Sequence, residues 1–301
     1  MIIAEGLTKQ YGGGVGVDDL SFAVRPGVVT GFLGPNGAGK STTIKLMLGL
    51  VCGAGRTTFT GHTYLELADP LRTVGVLVDP GAVHPSRSAA GHLRMVAAGG
   101  GLPMRRVPEV LSLVGLDSVA DKAVGKFSLG MRQRLGLATA LLGDPEYLIL
   151  DEPANGLDPD GVRWIRRFLR GLAAQGRTVL ASSHLLAEMA QLADDLIVIG
   201  AGRLISAGPL ADFVDQHTRS TVVVRGPESA RLLVALGRNG LRVWQGTAEE
   251  LVVDTDNTEL VARVAAQAGT PVRELFVRRS DLEEAYLAAT AHTVQLRGEP
   301  S

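Results

Sequence analysis

Cysteine is almost absent from the 301 residues: Cys52 is alone. That excludes an intrachain disulfide and any metal site built on cysteine pairs, and it suits a reducing compartment. Long apolar runs are missing too. LGLATALLG and LIVIG stop far short of the ~20 residues a membrane-spanning helix needs, so the chain is expected not to cross a bilayer by itself. Met1 leads straight into IIAEGLTKQY, without the basic-then-apolar order of a secretory signal. Charge of either sign is not in excess. With 30 basic and 31 acidic residues the formal charge is −1, which supplies no global pull toward nucleic acid or an anionic membrane. No long internal repeat or low-complexity tract occurs.

What is present describes a core-forming chain: 46% hydrophobic and 20% charged. Its length exceeds the usual size of one domain, so one large or two unequal domains are expected. Arginine supplies 25 of the 30 basic residues, a bias of GC-rich coding that carries no mechanism.

Residues 28–33 (VVTGFL) predict a short strand. A glycine-rich turn follows, and then STTIKLMLGL carries apolar residues at helical spacing. Strand, glycine loop and helix open an α/β unit. Buried strands are predicted at 147–150 (YLIL) and 178–181 (TVLA), with a hairpin of 195–199 and 203–206 around Gly200, Ala201 and Gly202. Short strands alternating with helices imply a parallel sheet covered on both faces. Between Pro85 and Gly143 strand signals vanish, and HLRMVAA, RVPEVLSLVGL and MRQRLGLATALL all carry helical spacing. This predicts a helical insertion at about 86–143, with Pro103 and Pro108 limiting where its helices start. Past about 216, STVVVR, LRVWQ, EELVVDT and PVRELFVRR alternate as strands, while SARLLVAL, NTELVARVAAQ and DLEEAYLAAT are helical. The order β-α-β-β-α-β-α predicts a small ferredoxin-like α+β domain over 216–301, behind an α/β domain over 1–215. The tail HTVQLRGEPS is expected to be loose.

Residues 34–42, GPNGAGKST, satisfy G-x-x-x-x-G-K-[ST] with a strand before and a helix after. Gly34, Pro35, Asn36, Gly37, Ala38 and Gly39 form a loop whose backbone N–H groups can curl around phosphate oxygens, ahead of a helix N-terminus. Lys40 can reach the β- and γ-phosphates, while Ser41, beside Thr42, can offer its hydroxyl to Mg²⁺. In LILDEP, side chains alternate along a strand, so Asp151 can serve the metal while Glu152 faces an attacking water. Two adjacent carboxylates also call for a neighbouring cation. His184, in ASSHLLAE, is by itself no more than a polar residue placed by its fold. At the C-terminal end of a parallel strand, however, it points where ligands bind in open α/β sheets, which favours a γ-phosphate contact.

GPNGAGKST, FSLGMRQR, LILDEP, NGLD and the histidine of SSHLL occur in the order seen in ATP-binding-cassette ATPases. Over roughly residues 1–215 the chain resembles the nucleotide-binding subunits of bacterial drug and antibiotic exporters of the daunorubicin- and bacitracin-resistance type. The resemblance implies an ATP- and Mg²⁺-dependent ATPase at the cytoplasmic face of a bacterial membrane, working with an integral membrane permease. It also implies a homodimer that sandwiches ATP between one subunit's P-loop and the other's signature helix. In that arrangement Ser128 and Gly130 sit at the signature serine and second glycine, Tyr11 matches the aromatic that stacks on adenine, and Asp158 lies across the dimer from the P-loop. Asp79, in VLVDPG, stands where the family has a glutamine that contacts Mg²⁺ and water. The signature itself departs from L-S-G-G-Q, with Phe127, Leu129 and Met131 at its first, third and fifth places. Ser128 alone, at a helix start, could equally be a simple cap. Two other functions compete with export: a soluble cassette ATPase of DNA repair or translation, and a regulatory nucleotide-binding module. The insertion lacks the sustained heptads of repair ATPases, the chain carries one cassette rather than two, and Glu152 and His184 are intact, all of which favours export.

Overall fold

The computed structural model describes residues 1–12, 14–79, 81–217, 220–247, 249–278 and 282–294. Met1–Leu210 form one compact unit and Ala211–His292 another.

In the first unit, strands β1 (Ile2–Tyr11), β2 (Gly14–Val24), β3 (Val29–Leu33), β4 (Ala54–Phe59), β5 (Val74–Leu77), β6 (Tyr147–Leu150), β7 (Thr178–Ser183), β8 (Asp195–Gly200) and β9 (Arg203–Pro209) make two sheets. The larger has the order β5-β6-β7-β3-β8-β9. It is parallel except for the β8–β9 hairpin. Every residue of β3, β6, β7 and β8 is buried, as expected of parallel strands covered on both faces. The smaller sheet, β2-β1-β4, is antiparallel. It was not legible in the sequence, because Gly6 (φ +59°) and three register shifts between β1 and β2 break the alternation a strand would show. Ile2, Leu7, Leu20 and Phe22 of this sheet pack with Phe32, Ile44, Met47 and Tyr147 in one buried core.

Helices α1 (Lys40–Met47), the short α2 (Pro70–Thr73), α3 (Ala89–Gly99), α4 (Arg106–Leu113), α5 (Leu129–Leu141), α6 (Pro159–Ala174) and α7 (Leu186–Leu192) complete the unit. As expected, α3, α4 and α5 fill the insertion. Pro108 is tolerated because it lies in the first turn of α4, where no intrahelical N–H is needed.

The second unit opens with α8 (Leu210–His217). It continues through β10 (Thr221–Arg225), α9 (Ser229–Arg238), β11 (Val243–Gln245), β12 (Glu250–Val253), α10 (Thr258–Gln267), β13 (Glu274–Arg278) and α11 (Leu282–Val294). The strand order β11-β12-β10-β13, antiparallel throughout, is the expected ferredoxin-like arrangement. Val222 and Val224 alternate with Val223, and the first two pack against Leu232, Leu236, Val261 and Val264 of the helices. The tail expected to be loose is helical through Val294, and 295–301 lie outside the described residues.

Candidate functional site

Strand order places the chemistry. β6, β7 and β3 are neighbours in the parallel sheet, and at their C-terminal ends stand Asp151 and Glu152, His184, and the loop 34–39. Residues separated by more than a hundred positions therefore meet at one sheet edge, about 4.8 Å apart per strand, where open α/β sheets bind ligands. They line a cleft of about 440 Å³ formed by Asn36, Gly37, Gly39, Lys40, Ser41, Thr42, Glu152, Asn155 and His184.

The loop has its shape because glycine alone fits it. Gly39 has φ +105°, and a Cβ there would stand 2.4 Å from the carbonyl oxygen of Gly16. Gly34 is as confined, its Cβ position lying 2.7 Å from the Ile199 carbonyl. Lys40 Nζ donates to the carbonyls of Gly34 (2.7 Å) and Pro35 (3.4 Å), folding its side chain back over the loop. Burial pushes the Lys40 ammonium below its ordinary value, and the Glu152 and Asp151 carboxylates oppose that shift. A cation in this position, ringed by loop N–H groups and a helix start, is arranged for a polyphosphate.

Asp151 is buried and accepts the Ser182 hydroxyl at 2.5 Å. The same oxygen of Ser182 accepts the Glu152 N–H at 2.9 Å. Glu152 has φ +49°, a left-handed conformation that costs a non-glycine residue on the order of 1–3 kcal/mol. Its carboxylate Oε2 lies 2.8 Å from His184 Nδ1. With Glu152 ionised, Nδ1 must be the donor, so Nε2 can donate to a phosphate oxygen only from the imidazolium. The pair thus sets a carboxylate that can orient water and an imidazole that can face a phosphate within one hydrogen bond.

Mg²⁺ prefers few protein oxygens and keeps water and phosphate as its remaining ligands. The Ser41 hydroxyl in the cleft and the Asp151 carboxylate at the strand end fit that demand. Among the described residues no group of three or more His, Cys, Asp or Glu could hold a metal by itself.

The remaining expected residues lie elsewhere. Asp79 follows β5, three strands from β3 and thus about 14 Å along the sheet edge. It is exposed, is not in the cleft lining, and accepts the Gly81 N–H at 2.7 Å. Tyr11 is half exposed and lies on Gly16, where a Cβ would come within 2.9 Å of its ring. Gly16 in turn abuts Gly39, which links Tyr11 to the loop's edge. Ser128 caps α5, its hydroxyl accepting the Met131 N–H at 3.2 Å, and Asp158 caps α6 by accepting from Gly161 at 2.7 Å. Gly130 approaches Leu157, and Leu129 lies across Gly156. Ser182, Asn155 and Gln133 were missed. Ser182 had a signal, lying two residues before His184 at the end of β7, whereas Gln133 had none outside its helix.

This fold and cleft are those of a P-loop ATPase. The family model described as "ABC transporter" matches residues 17–155, and one for a domain of unknown function matches 220–283. The chain is 37% identical to the uncharacterized ABC transporter ATP-binding protein YhcH of Bacillus subtilis, with 95% of each chain covered. It is 43% identical to the bacitracin transport ATP-binding protein BcrA of Bacillus licheniformis over 71% of each, and 34% identical to the Nod factor export ATP-binding protein I of Ralstonia nicotianae over 98% of this chain and 95% of that one. A solved ATP-binding subunit of an ABC transporter superposes with a TM-score of 0.65 at 28% identity, covering 72% of this chain and 92% of that one. The chain belongs to the ATP-binding subunits of ABC transporters, a family of ATPases.

Proposed function

We propose that the chain hydrolyses MgATP to drive export of drugs, antibiotics or other amphiphilic compounds through a separate membrane permease, at the cytoplasmic face of a bacterial membrane. The convergence of Lys40, Glu152 and His184 on one cleft carries the ATPase part. The likeness to BcrA, a bacitracin transport ATP-binding protein, and to a Nod factor export ATP-binding protein supports the transport part. Among the described residues no helix is long and apolar enough to cross a membrane, and in this reading the path belongs to the permease.

In this reading Lys40 and the loop N–H groups hold the β- and γ-phosphates, and Glu152 orients a water for in-line attack. His184 stabilises the charge that develops on the γ-phosphoryl oxygens. Mg²⁺, held through Ser41 and Asp151, would neutralise the phosphates. Tyr11 stacks on adenine. Ser128 and Gly130 lie outside the cleft lining, and in this reading their helix start serves a second copy's γ-phosphate, with Asp158 facing that copy's loop. The cassette MJ0796, 21% identical and of the same fold (TM-score 0.63), is a dimer. Ser128 is then cap and ligand at once. The cap contributes ~1 kcal/mol, and a hydrogen bond to a charged phosphate about 1.5–3 kcal/mol, gained only in the dimer. Asp79 holds metal through water at most. We assign the ATPase to residues 1–215 and an accessory role to 216–301.

Glu152→Gln should abolish turnover while MgATP still drives dimerisation, read by light scattering, and adding Ser128→Arg should abolish the dimer. Undiminished turnover in Glu152→Gln would refute the assignment. Affinity purification from the native membrane should bring down a polytopic protein, and its absence would count against the export role.

A further inference from the structure

The proposed base, Glu152, is held by its backbone as well as by His184. Its N–H donates to Ser182 Oγ at 2.9 Å, and its carbonyl accepts Gln133 Nε2 at 2.8 Å, alongside the Asn155 N–H at 3.1 Å. Gln133 is 3% exposed, lies in the second turn of α5, and is not in the cleft lining. A carbonyl can only accept, so the amide must turn its NH₂ toward Glu152. The bond reaches the one residue of the site that is not glycine and has a positive φ. Without such tethers a non-glycine residue drifts back toward φ < 0, and its carboxylate swings away with the backbone.

We infer that Gln133 is a positioning residue for ATP hydrolysis: it fixes the Glu152 carbonyl, and through it the direction of the carboxylate. The helix that carries this strut begins at Ser128, so the element proposed to seat a second copy's γ-phosphate is bonded to its own chain's base. The inference rests on the reading of Glu152 given above.

The test is Gln133→Met, which keeps volume and removes the donor. Displacing a base by a fraction of an ångström to an ångström costs turnover up to about 100-fold. The expected result is a kcat 10- to 100-fold below the parent, with KM for ATP within about two-fold. In the Glu152→Gln background, Gln133→Met should leave MgATP-driven dimerisation unchanged, since that readout needs a folded P-loop and α5 but no base. A Gln133→Met enzyme with kcat within two-fold of the parent overturns the inference. So does a rise in KM, or lost dimerisation, equal to the fall in kcat, because Gln133 would then be supporting the cleft as a whole. A parent enzyme unaffected by Glu152→Gln sinks instead the assignment of Glu152 itself, and the two failures are told apart by that control.

Discussion

The leucine in place of a signature glycine has a structural counterpart, and the pairing can be measured. Leu129 is the first residue of α5, 52% exposed, and its side chain covers Gly156. Gly156 has φ +74°, and a Cβ there would lie 2.1 Å from Leu129 Cδ2, 2.5 Å from Cγ and 3.3 Å from Cβ. The whole side chain is in the way, so rotation of its tip alone does not clear the space. Gly156→Ala should therefore cost about 1–2 kcal/mol for the left-handed backbone plus about 1–3 kcal/mol for overpacking. Leu129→Gly should cost about 1 kcal/mol for the half of its burial that is lost and about 0.5–1 kcal/mol for the added glycine. With Leu129 gone, Gly156→Ala retains only its backbone cost. A double-mutant cycle should then give a coupling of about 1–3 kcal/mol, with the second substitution milder in the presence of the first. Urea unfolding reports it through Trp164, which lies under Arg134 of α5 at 4.3 Å. Trp244→Phe removes the signal of the other unit. Equal costs of Gly156→Ala in both backgrounds, within about 0.5 kcal/mol, would refute the packing argument.

Burial raises the Glu188 carboxyl above its ordinary value of 4.5, with Ser183 opposing, Glu152 adding and His184 opposing. A raised carboxyl binds its proton more tightly when folded, so its stabilisation is present below 4.5 and is lost as pH rises through the folded value. Melting temperature should fall over that window in the parent relative to Glu188→Gln, and parallel curves would contradict it. Arg25 holds the 8%-exposed Asp195 with two hydrogen bonds, at 2.8 and 2.6 Å, while being itself 57% exposed. Arg25→Ala should lower the urea midpoint, though by less than the loss of a fully buried pair would, because water reaches the guanidinium. Most of that cost should return on adding Asp195→Asn, and a double variant no better than the single would show that charge burial is not its source.

The parts of the molecule visible in the sequence are those in which one physical cause acts alone. The buried strands of the large sheet show as unbroken apolar runs because both faces are covered, and GPNGAGKST shows because a phosphate loop admits so few residues. The second unit was legible to the level of topology, since short β-rich runs such as STVVVR and EELVVDT alternate along the chain with segments of helical spacing such as SARLLVAL and NTELVARVAAQ. The sheet β2-β1-β4 was hidden by its bulges. Only its likeness to a family glutamine suggests Asp79 as a metal contact; it follows β5, which neighbours β6 and lies three strands from β3.

Glu152 shows why the rest needed coordinates. Nothing in LILDEP announces a left-handed backbone at a glutamate, a choice that local propensity opposes and that two side chains from β7 and α5 sustain. Each such hydrogen bond is worth about 1 kcal/mol net, so together they match a strain on the order of 1–3 kcal/mol. The tethers grip the N–H and the carbonyl, leaving the carboxylate for His184. In the proposed reading Glu152→Gln should keep the held backbone and lose only the base, whereas Gln133→Met should keep the base and loosen its aim. The first lesion should trap a nucleotide-bound dimer, and the second should let the dimer form and turn over slowly.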